Sequence, residues 1–103
     1  MSEPTILLVD DDPGIVKTLQ RYLQHEGYVV IVAYNGKDAL TIVREQAPDC
    51  IVLDVMLPDY NGWEITGRIR DNPRTAKIPI IMLTARVMMR IRFTGKIWGQ
   101  MIT

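Results

Sequence analysis

The fold of this chain is decided at Thr5-Ile6-Leu7-Leu8-Val9-Asp10-Asp11-Asp12-Pro13, where an apolar run meets three acids and a proline. The apolar residues of this run have apolar neighbours, which predicts a strand buried on both faces of a parallel sheet. Asp12 and Pro13 are typical of a helix start, with Asp12 as the N-cap and Pro13 as the first helical residue.

The following residues repeat this alternation of strand and helix. Helices are predicted between Pro13 and Gly27, between Asn35 and Pro48, and from Trp63 to Arg70. Further strands are predicted at residues 28–33, 50–53 and 78–83. Three strand–helix units followed by a fourth strand predict an α/β fold, in which helices cover a parallel sheet through right-handed crossovers.

Length and composition exclude several classes of protein. The 103 residues allow one domain, and 48% hydrophobic with 23% charged residues fits neither a disordered chain, a coiled coil nor a collagen. No apolar run approaches the roughly 20 residues that span a bilayer, and the residues after Met1 do not resemble a signal peptide. The single cysteine, Cys50, predicts a core residue in a cytoplasmic protein.

The formal net charge of zero conceals an uneven distribution. Residues 1–71 hold all 12 acidic side chains and 6 basic ones, a net charge of −6. Residues 72–103 hold 6 basic side chains and no acid, a net charge of +6. Such asymmetry is typical of a basic arm that binds nucleic acid, or of two segments with different origins.

Polar side chains follow three of the predicted strands. Asp10 and Asp11 follow the first, Asp54 the third and Thr84 the fourth. Ligand sites of parallel α/β sheets lie beyond the carboxyl ends of the strands, and converging carboxylates favour a bound hard cation. Oxygen ligands predict Mg²⁺, and a carboxylate beside it can accept a phosphoryl group.

Each of these residues also has an ordinary structural explanation. Asp12 is interpreted as a helix cap and not as a ligand. Asp10, Asp11 or Asp54 alone would be a turn or capping residue, and only their combination favours a site. Trp63 is expected to pack against the body of the protein.

Three blocks of this sequence together resemble the receiver domain of two-component response regulators over residues 5–87. They are Ile6-Leu7-Leu8-Val9-Asp10-Asp11-Asp12-Pro13, Ile51-Val52-Leu53-Asp54-Val55-Met56-Leu57-Pro58-Asp59-Tyr60-Asn61-Gly62 and Pro79-Ile80-Ile81-Met82-Leu83-Thr84-Ala85. The resemblance implies a five-stranded, doubly wound parallel sheet of flavodoxin-like order. It also implies a phosphoacceptor with at most self-phosphorylation and self-dephosphorylation, served by a sensor histidine kinase, a phosphotransfer protein or a small phosphodonor.

The resemblance assigns roles residue by residue. Asp54 matches the phosphoacceptor, and Thr84 matches the switch hydroxyl. Asp11 matches the direct Mg²⁺ ligand, Asp10 a residue that acts largely through water, and Met56 the donor of a backbone carbonyl. The remaining matches, the small residue beside the phosphate and the loop after the acceptor, are Ala85, Pro58 and Gly62.

The sequence departs from the family pattern after Val87. The family has a lysine after a fifth strand. In residues 88–103 the only lysine is Lys96, and the sequence there does not predict a strand followed by Lys-Pro. One G added before Met88 turns two ATG codons into GAT codons, and the shifted frame reads as an acidic helix that ends in Leu-Gly-Ala-Asp-Asp-Tyr. We therefore predict an incomplete receiver domain at 1–87, which lacks the fifth strand and last helix, and an out-of-frame tail at 88–103.

Several alternative functions remain open. The chain is expected to be impaired, and a non-functional or sequestering fragment is one alternative. A phosphatase with an aspartyl nucleophile is disfavoured, because its second carboxylate would stand at Met56. Nucleic-acid binding by the basic tail is disfavoured, because no groove-reading motif accompanies the tail.

Overall fold

The computed structural model describes residues 3–83, which alternate strictly between strand and helix. The elements are β1 (Thr5–Val9), α1 (Pro13–His25), β2 (Val29–Ala33), α2 (Gly36–Gln46), β3 (Cys50–Asp54), α3 (Gly62–Asp71) and β4 (Ile80–Leu83). Every predicted helix and strand up to Leu83 is present.

The four strands form one parallel sheet in the order β2-β1-β3-β4. Val9 pairs with Ala33 on one side and with Leu53 on the other, and Asp54 pairs with Leu83. The carboxyl ends of all four strands therefore lie along one edge of the sheet. This confirms the doubly wound, flavodoxin-like prediction. We predicted that the fifth strand and the last helix are missing, and the part of the chain that this prediction concerns lies outside the described residues.

The core lies on both faces of the sheet. On one face, Ile6 and Leu8 pack with α1 residues such as Leu23; on the other, Leu7 and Val9 pack with residues of α2 and α3. The side chains of these four β1 residues are at most 1% exposed. An uninterrupted apolar run is therefore what a strand covered on both faces needs.

Capping residues set the helix ends. The Asp12 carboxylate accepts hydrogen bonds from the backbone N–H groups of Gly14 (2.9 Å) and Ile15 (3.3 Å), which confirms its structural role. Glu26 is the C-cap of α1, and Gly27 follows with a φ of 98°, where a side chain would be strained.

The strands β2 and β4 begin later than predicted, because the N–H groups just before them form hydrogen bonds within turns. The N–H of Tyr28 donates to the Leu23 carbonyl oxygen (3.1 Å), and that of Ile78 donates to the Thr75 carbonyl oxygen (3.1 Å). Neither residue joins the sheet.

The division at residue 87 and the tail at 88–103 lie outside the described residues. Among residues 3–83, no helix is long and apolar enough to cross a membrane.

Candidate metal centre

Three carboxylates meet at the carboxyl edge of the sheet. Asp10 directly follows β1 and Asp54 ends β3, and these strands are hydrogen-bonded neighbours. One carboxylate oxygen each from Asp10, Asp11 and Asp54 lie within 4.8 Å of one another. The structure thus brings together the three acids that the sequence predicted.

Burial differs sharply among the three acids. Asp10 is 5% exposed, Asp54 is partly buried, and Asp11 faces solvent. The Asp10 N–H donates to the Ala33 carbonyl oxygen (3.2 Å), and Asp10 Oδ1 accepts from the Asp12 N–H (3.0 Å). These bonds fix Asp10 between β1 and α1, with its carboxylate beside that of Asp54.

The environment of Asp10 disfavours its negative charge. Burial, the largest cause, and the charges of Asp54 and Asp11 together raise the pKa of Asp10 to about 6, against the lowering effect of the hydrogen bond from the Asp12 N–H. A divalent cation would relieve both the repulsion and the desolvation penalty.

The donor set fits Mg²⁺. Carboxylate oxygens on one solvent-accessible side can hold a hard cation that keeps several waters. The Met56 N–H donates to Asp54 Oδ1 (3.2 Å), which places Met56 next to the cluster. Within residues 3–83, no backbone hydrogen bond uses the Met56 carbonyl oxygen, so this atom is available as a further ligand.

The loop after β3 is held as a short hairpin (residues 55–62). The Gly62 N–H donates to the Val55 carbonyl oxygen (2.6 Å), which pairs Met56 with Asn61 at the base of the hairpin. The Leu57 N–H donates to the Tyr60 carbonyl oxygen (3.2 Å) and closes the tip.

Gly62 permits the close approach of α3 to Asp54. A Cβ at Gly62 would lie 2.9 Å from the Asp54 carbonyl oxygen and 3.0 Å from Val55 Cα. Since these are backbone atoms that cannot swing aside, a side chain here would displace either α3 or the end of β3. The predicted match of Gly62 to the family's loop thus has a local steric reason.

Thr84 and Ala85, the predicted switch hydroxyl and small residue, lie outside the described residues. The Val55 N–H donates to the Leu83 carbonyl oxygen (3.0 Å), so β4 ends beside the residue that follows Asp54.

The interpretation of Trp63 as a packing residue is wrong. Its side chain is 66% exposed, because α3 buries the side that contains Ile65 and Ile69. Cys50 is a fully buried core residue, as predicted, and burial raises the pKa of its thiol to about 12.

Asp59 is a structural residue that the sequence did not reveal. Its carboxylate accepts from the N–H groups of Gly36 (2.8 Å) and Lys37 (3.0 Å), across 23 and 22 residues of chain. Partial desolvation raises the pKa of Asp59, but these hydrogen bonds outweigh it and leave the pKa below its ordinary value. The sequence shows that Asp59 follows Leu57-Pro58 in a turn, where an aspartate often accepts backbone hydrogen bonds. No local pattern predicts that the donors are the distant residues Gly36 and Lys37.

The fold and this acidic cluster together define a receiver domain. The sequence model of the response regulator receiver domain matches residues 6–98. The chain therefore belongs to the family of two-component response regulator receiver domains.

Individual relatives agree with this assignment. The transcriptional regulatory protein AfsQ1 of Streptomyces coelicolor is 49% identical over 83 residues, which are 81% of this chain and 36% of AfsQ1. The protein PilH of Pseudomonas aeruginosa is 33% identical over 92% of this chain and 75% of its own length. The chain thus spans about a third of AfsQ1 and three quarters of PilH.

A solved structure shows the same fold with a metal. The receiver domain of the sensor histidine kinase PA1611 from Pseudomonas aeruginosa, with a magnesium ion in its active site cleft, superposes with a TM-score of 0.78. It is 32% identical and covers 84% of this chain and 71% of that one. Mg²⁺ binding is therefore represented in the family.

Proposed function

We propose that Asp54 accepts a phosphoryl group from a sensor histidine kinase or a phosphotransfer protein in a Mg²⁺-dependent phosphorelay. The observation that supports this best is the convergence of carboxylate oxygens from Asp10, Asp11 and Asp54 within 4.8 Å. The chain acts as a phosphoacceptor and not as an enzyme with a separate substrate.

The chemistry is an in-line displacement at phosphorus. A carboxylate oxygen of Asp54 forms the new P–O bond, the P–N bond of the donor's phosphohistidine breaks, and the departing imidazole takes up a proton. Bound Mg²⁺ neutralises charge on the phosphoryl oxygens and on the acids around it. In this proposal Asp11, Asp54 and the Met56 carbonyl hold the ion, Asp10 acts largely through water, and Thr84 binds a phosphoryl oxygen.

The exposure of the acids supports this division of roles. Asp54 is only partly buried, and its Oδ1 accepts the Met56 N–H, so its carboxylate is oriented and the residue is still accessible to a phosphodonor. The 5% exposed Asp10 cannot meet a phosphodonor directly and is suited to a supporting role.

Phosphorylation of the full chain tests the proposal. We expect acetyl phosphate with Mg²⁺ to add one phosphoryl group, seen by intact-mass spectrometry, and we expect the substitution Asp54→Asn to abolish it. Asp49→Asn is the matched control, because Asp49 is an exposed carboxylate at the opposite edge of the sheet. Labelling that persists in Asp54→Asn would refute the assignment of the acceptor.

The extent of the domain is a separate proposal. We propose that residues 1–87 are an incomplete receiver domain and 88–103 an out-of-frame tail, so that phosphorylation is slow without a lysine to stabilise the developing charge. The family match extends to residue 98, beyond the proposed boundary. Sequencing the gene through codon 87 tests this, and a downstream frame without a Lys-Pro strand would refute it.

The compartment in which the chain acts follows from its proposed phosphodonor. A sensor histidine kinase presents its phosphohistidine to the cytoplasm, and we propose that the chain acts there. The buried Cys50 thiol is compatible with a reducing compartment.

A further inference from the structure

The tip of the 55–62 hairpin is bound to a helix that belongs to another crossover. Asp59 Oδ1 accepts the Gly36 N–H at 2.8 Å, and Oδ2 accepts the Lys37 N–H at 3.0 Å. Each carboxylate oxygen thus satisfies one of the N–H groups that the first turn of α2 leaves without an intrahelical partner. A negative charge at this position is also favoured by the dipole of α2.

Steric contact fixes the same junction from the other side. A Cβ at Gly36 would lie 2.6 Å from Tyr60 Cδ2, 2.9 Å from Ile65 Cδ1 and 3.1 Å from Asp59 Oδ1. The hairpin tip therefore lies directly against the start of α2, with no room for a side chain between them. Both hydrogen bonds and packing define where the tip lies.

The hairpin transmits this position to the metal centre. Its two cross-strand hydrogen bonds, Leu57 N–H to the Tyr60 carbonyl and Gly62 N–H to the Val55 carbonyl, join tip and base. Met56 lies at the base, and its N–H contacts Asp54. A displacement of the tip would therefore shift Met56 relative to the carboxylate cluster.

We propose that Asp59 is a positioning residue for the metal centre, which holds the hairpin so that Met56 stays next to Asp54. This inference rests on the proposed function, since it takes Met56 as a Mg²⁺ ligand. A reciprocal effect follows from linkage: Mg²⁺ at the cluster strengthens the bonds from Asp59 to the start of α2.

Three substitutions of Asp59 separate position from charge, by calorimetric titration of the full chain with Mg²⁺. Asp59→Ala removes both acceptors and should weaken Mg²⁺ binding about tenfold. Asp59→Asn keeps an acceptor oxygen but no charge, and should stay within about threefold of wild type. Asp59→Glu keeps the charge on a longer arm that misses Gly36, and should resemble Asp59→Ala.

One control variant and one further variant of the junction accompany the titration. Asp49→Ala removes another exposed carboxylate that accepts a backbone N–H (Thr5, 2.7 Å), at the opposite edge of the sheet, and should leave Mg²⁺ affinity unchanged. Gly36→Ala disturbs the junction from the α2 side and should weaken Mg²⁺ binding as Asp59→Ala does. A wild-type affinity in Asp59→Ala, or a loss in Asp59→Asn that Asp59→Glu restores, would overturn the proposal.

Amide hydrogen exchange gives a readout that a merely structural role would not change. Mg²⁺ should slow exchange at the Gly36 and Lys37 amides of the wild type by about tenfold, and should leave exchange at Gly36 and Lys37 in Asp59→Ala unaltered. No protection by Mg²⁺ in the wild type would refute the linkage. If the wild type binds Mg²⁺ and Asp54 is phosphorylated but Mg²⁺ gives no protection, only the proposed role of Asp59 is refuted. If the wild type binds no Mg²⁺, the proposed function is refuted as well.

Discussion

Asp10 directly follows a strand that is buried on both faces, and the residue is only 5% exposed to water. The lost hydration, together with the nearby charges of Asp54 and Asp11, raises its pKa to about 6 from 3.8. In the metal-free protein, folding therefore takes up a proton at Asp10 between these two pH values. The contribution of Asp10 to stability is present at low pH and is lost as the pH rises through about 6.

Asp10→Asn should stabilise the metal-free protein above pH 7. The amide removes the buried charge but can still accept the Asp12 N–H through its oxygen. Because solvent on the Asp11 side screens part of the repulsion, we expect a gain of about 1 kcal/mol, or about 5 °C in Tm.

The pH dependence of the melting temperature checks this prediction. At pH 4 the variant and the wild type should melt together, since Asp10 is then protonated in the folded wild type. Mg²⁺ should raise the Tm of the wild type more than that of the variant. An equal gain at pH 4 and pH 7.5 would show that the raised pKa is not the cause.

At the scale of elements, the two glycines of α3 test how closely this helix approaches the site. A Cβ at Gly62 would meet backbone atoms of Asp54 and Val55, whereas a Cβ at Gly67 would meet nothing within 4 Å. Gly62→Ala should destabilise the protein by about 1–3 kcal/mol. Gly67→Ala should stabilise it by about 0.5–1 kcal/mol, since alanine favours a helix interior.

Urea unfolding followed by circular dichroism measures both variants. Since both substitutions lie in the same helix, helix propensity alone would stabilise both. Equal stabilisation would therefore contradict the close approach at Gly62, while opposite signs would support it. Gly62→Ala should also weaken Mg²⁺ binding, because the atoms that it displaces belong to the end of β3.

The existence and order of the elements were predictable because their causes are local. Apolar runs mark strands covered on both faces, and Asp12-Pro13 marks a helix start through hydrogen bonds to the next turn. Element ends were less predictable. β2 and β4 begin at Val29 and Ile80, later than predicted, because the preceding Tyr28 and Ile78 N–H groups donate to turns.

The candidate site also contains residues that the sequence predicts and residues that it does not. Asp10, Asp11 and Asp54 were predictable because the carboxyl ends of parallel strands share one edge of the sheet. Asp59 was not, because its partner Gly36 is 23 residues away and meets it only after α2 and α3 have packed. The exposure of Trp63 was missed because a tryptophan in a helix is more often buried than exposed.

At the scale of the whole molecule, the reactivity of the Cys50 thiol measures how often the protein unfolds. Its side chain is 0% exposed, and burial, the largest influence, raises the pKa of the thiol to about 12. We expect a thiol reagent at pH 8 to label native Cys50 at least about a hundredfold more slowly than in urea, since labelling requires unfolding. Added Mg²⁺ should slow the native reaction further.

The labelling rate in native buffer, compared with the rate in urea, checks this prediction by mass spectrometry. Asp54→Asn provides the control for the Mg²⁺ effect, since it removes one of the three carboxylates of the cluster. Rapid labelling of a chain with an unchanged circular dichroism spectrum would contradict the prediction.

The sheet order has a consequence for how the chain is made. β1 leaves the ribosome before the other three described strands, yet it lies between β2 and β3, whose residues are synthesised later. Until Cys50–Asp54 has emerged, Asp10 and Asp11 stand at the end of a strand that can have at most one neighbour. A nascent chain shorter than this has no Mg²⁺ centre to form, so metal binding during synthesis would mark the moment at which β3 joins the sheet.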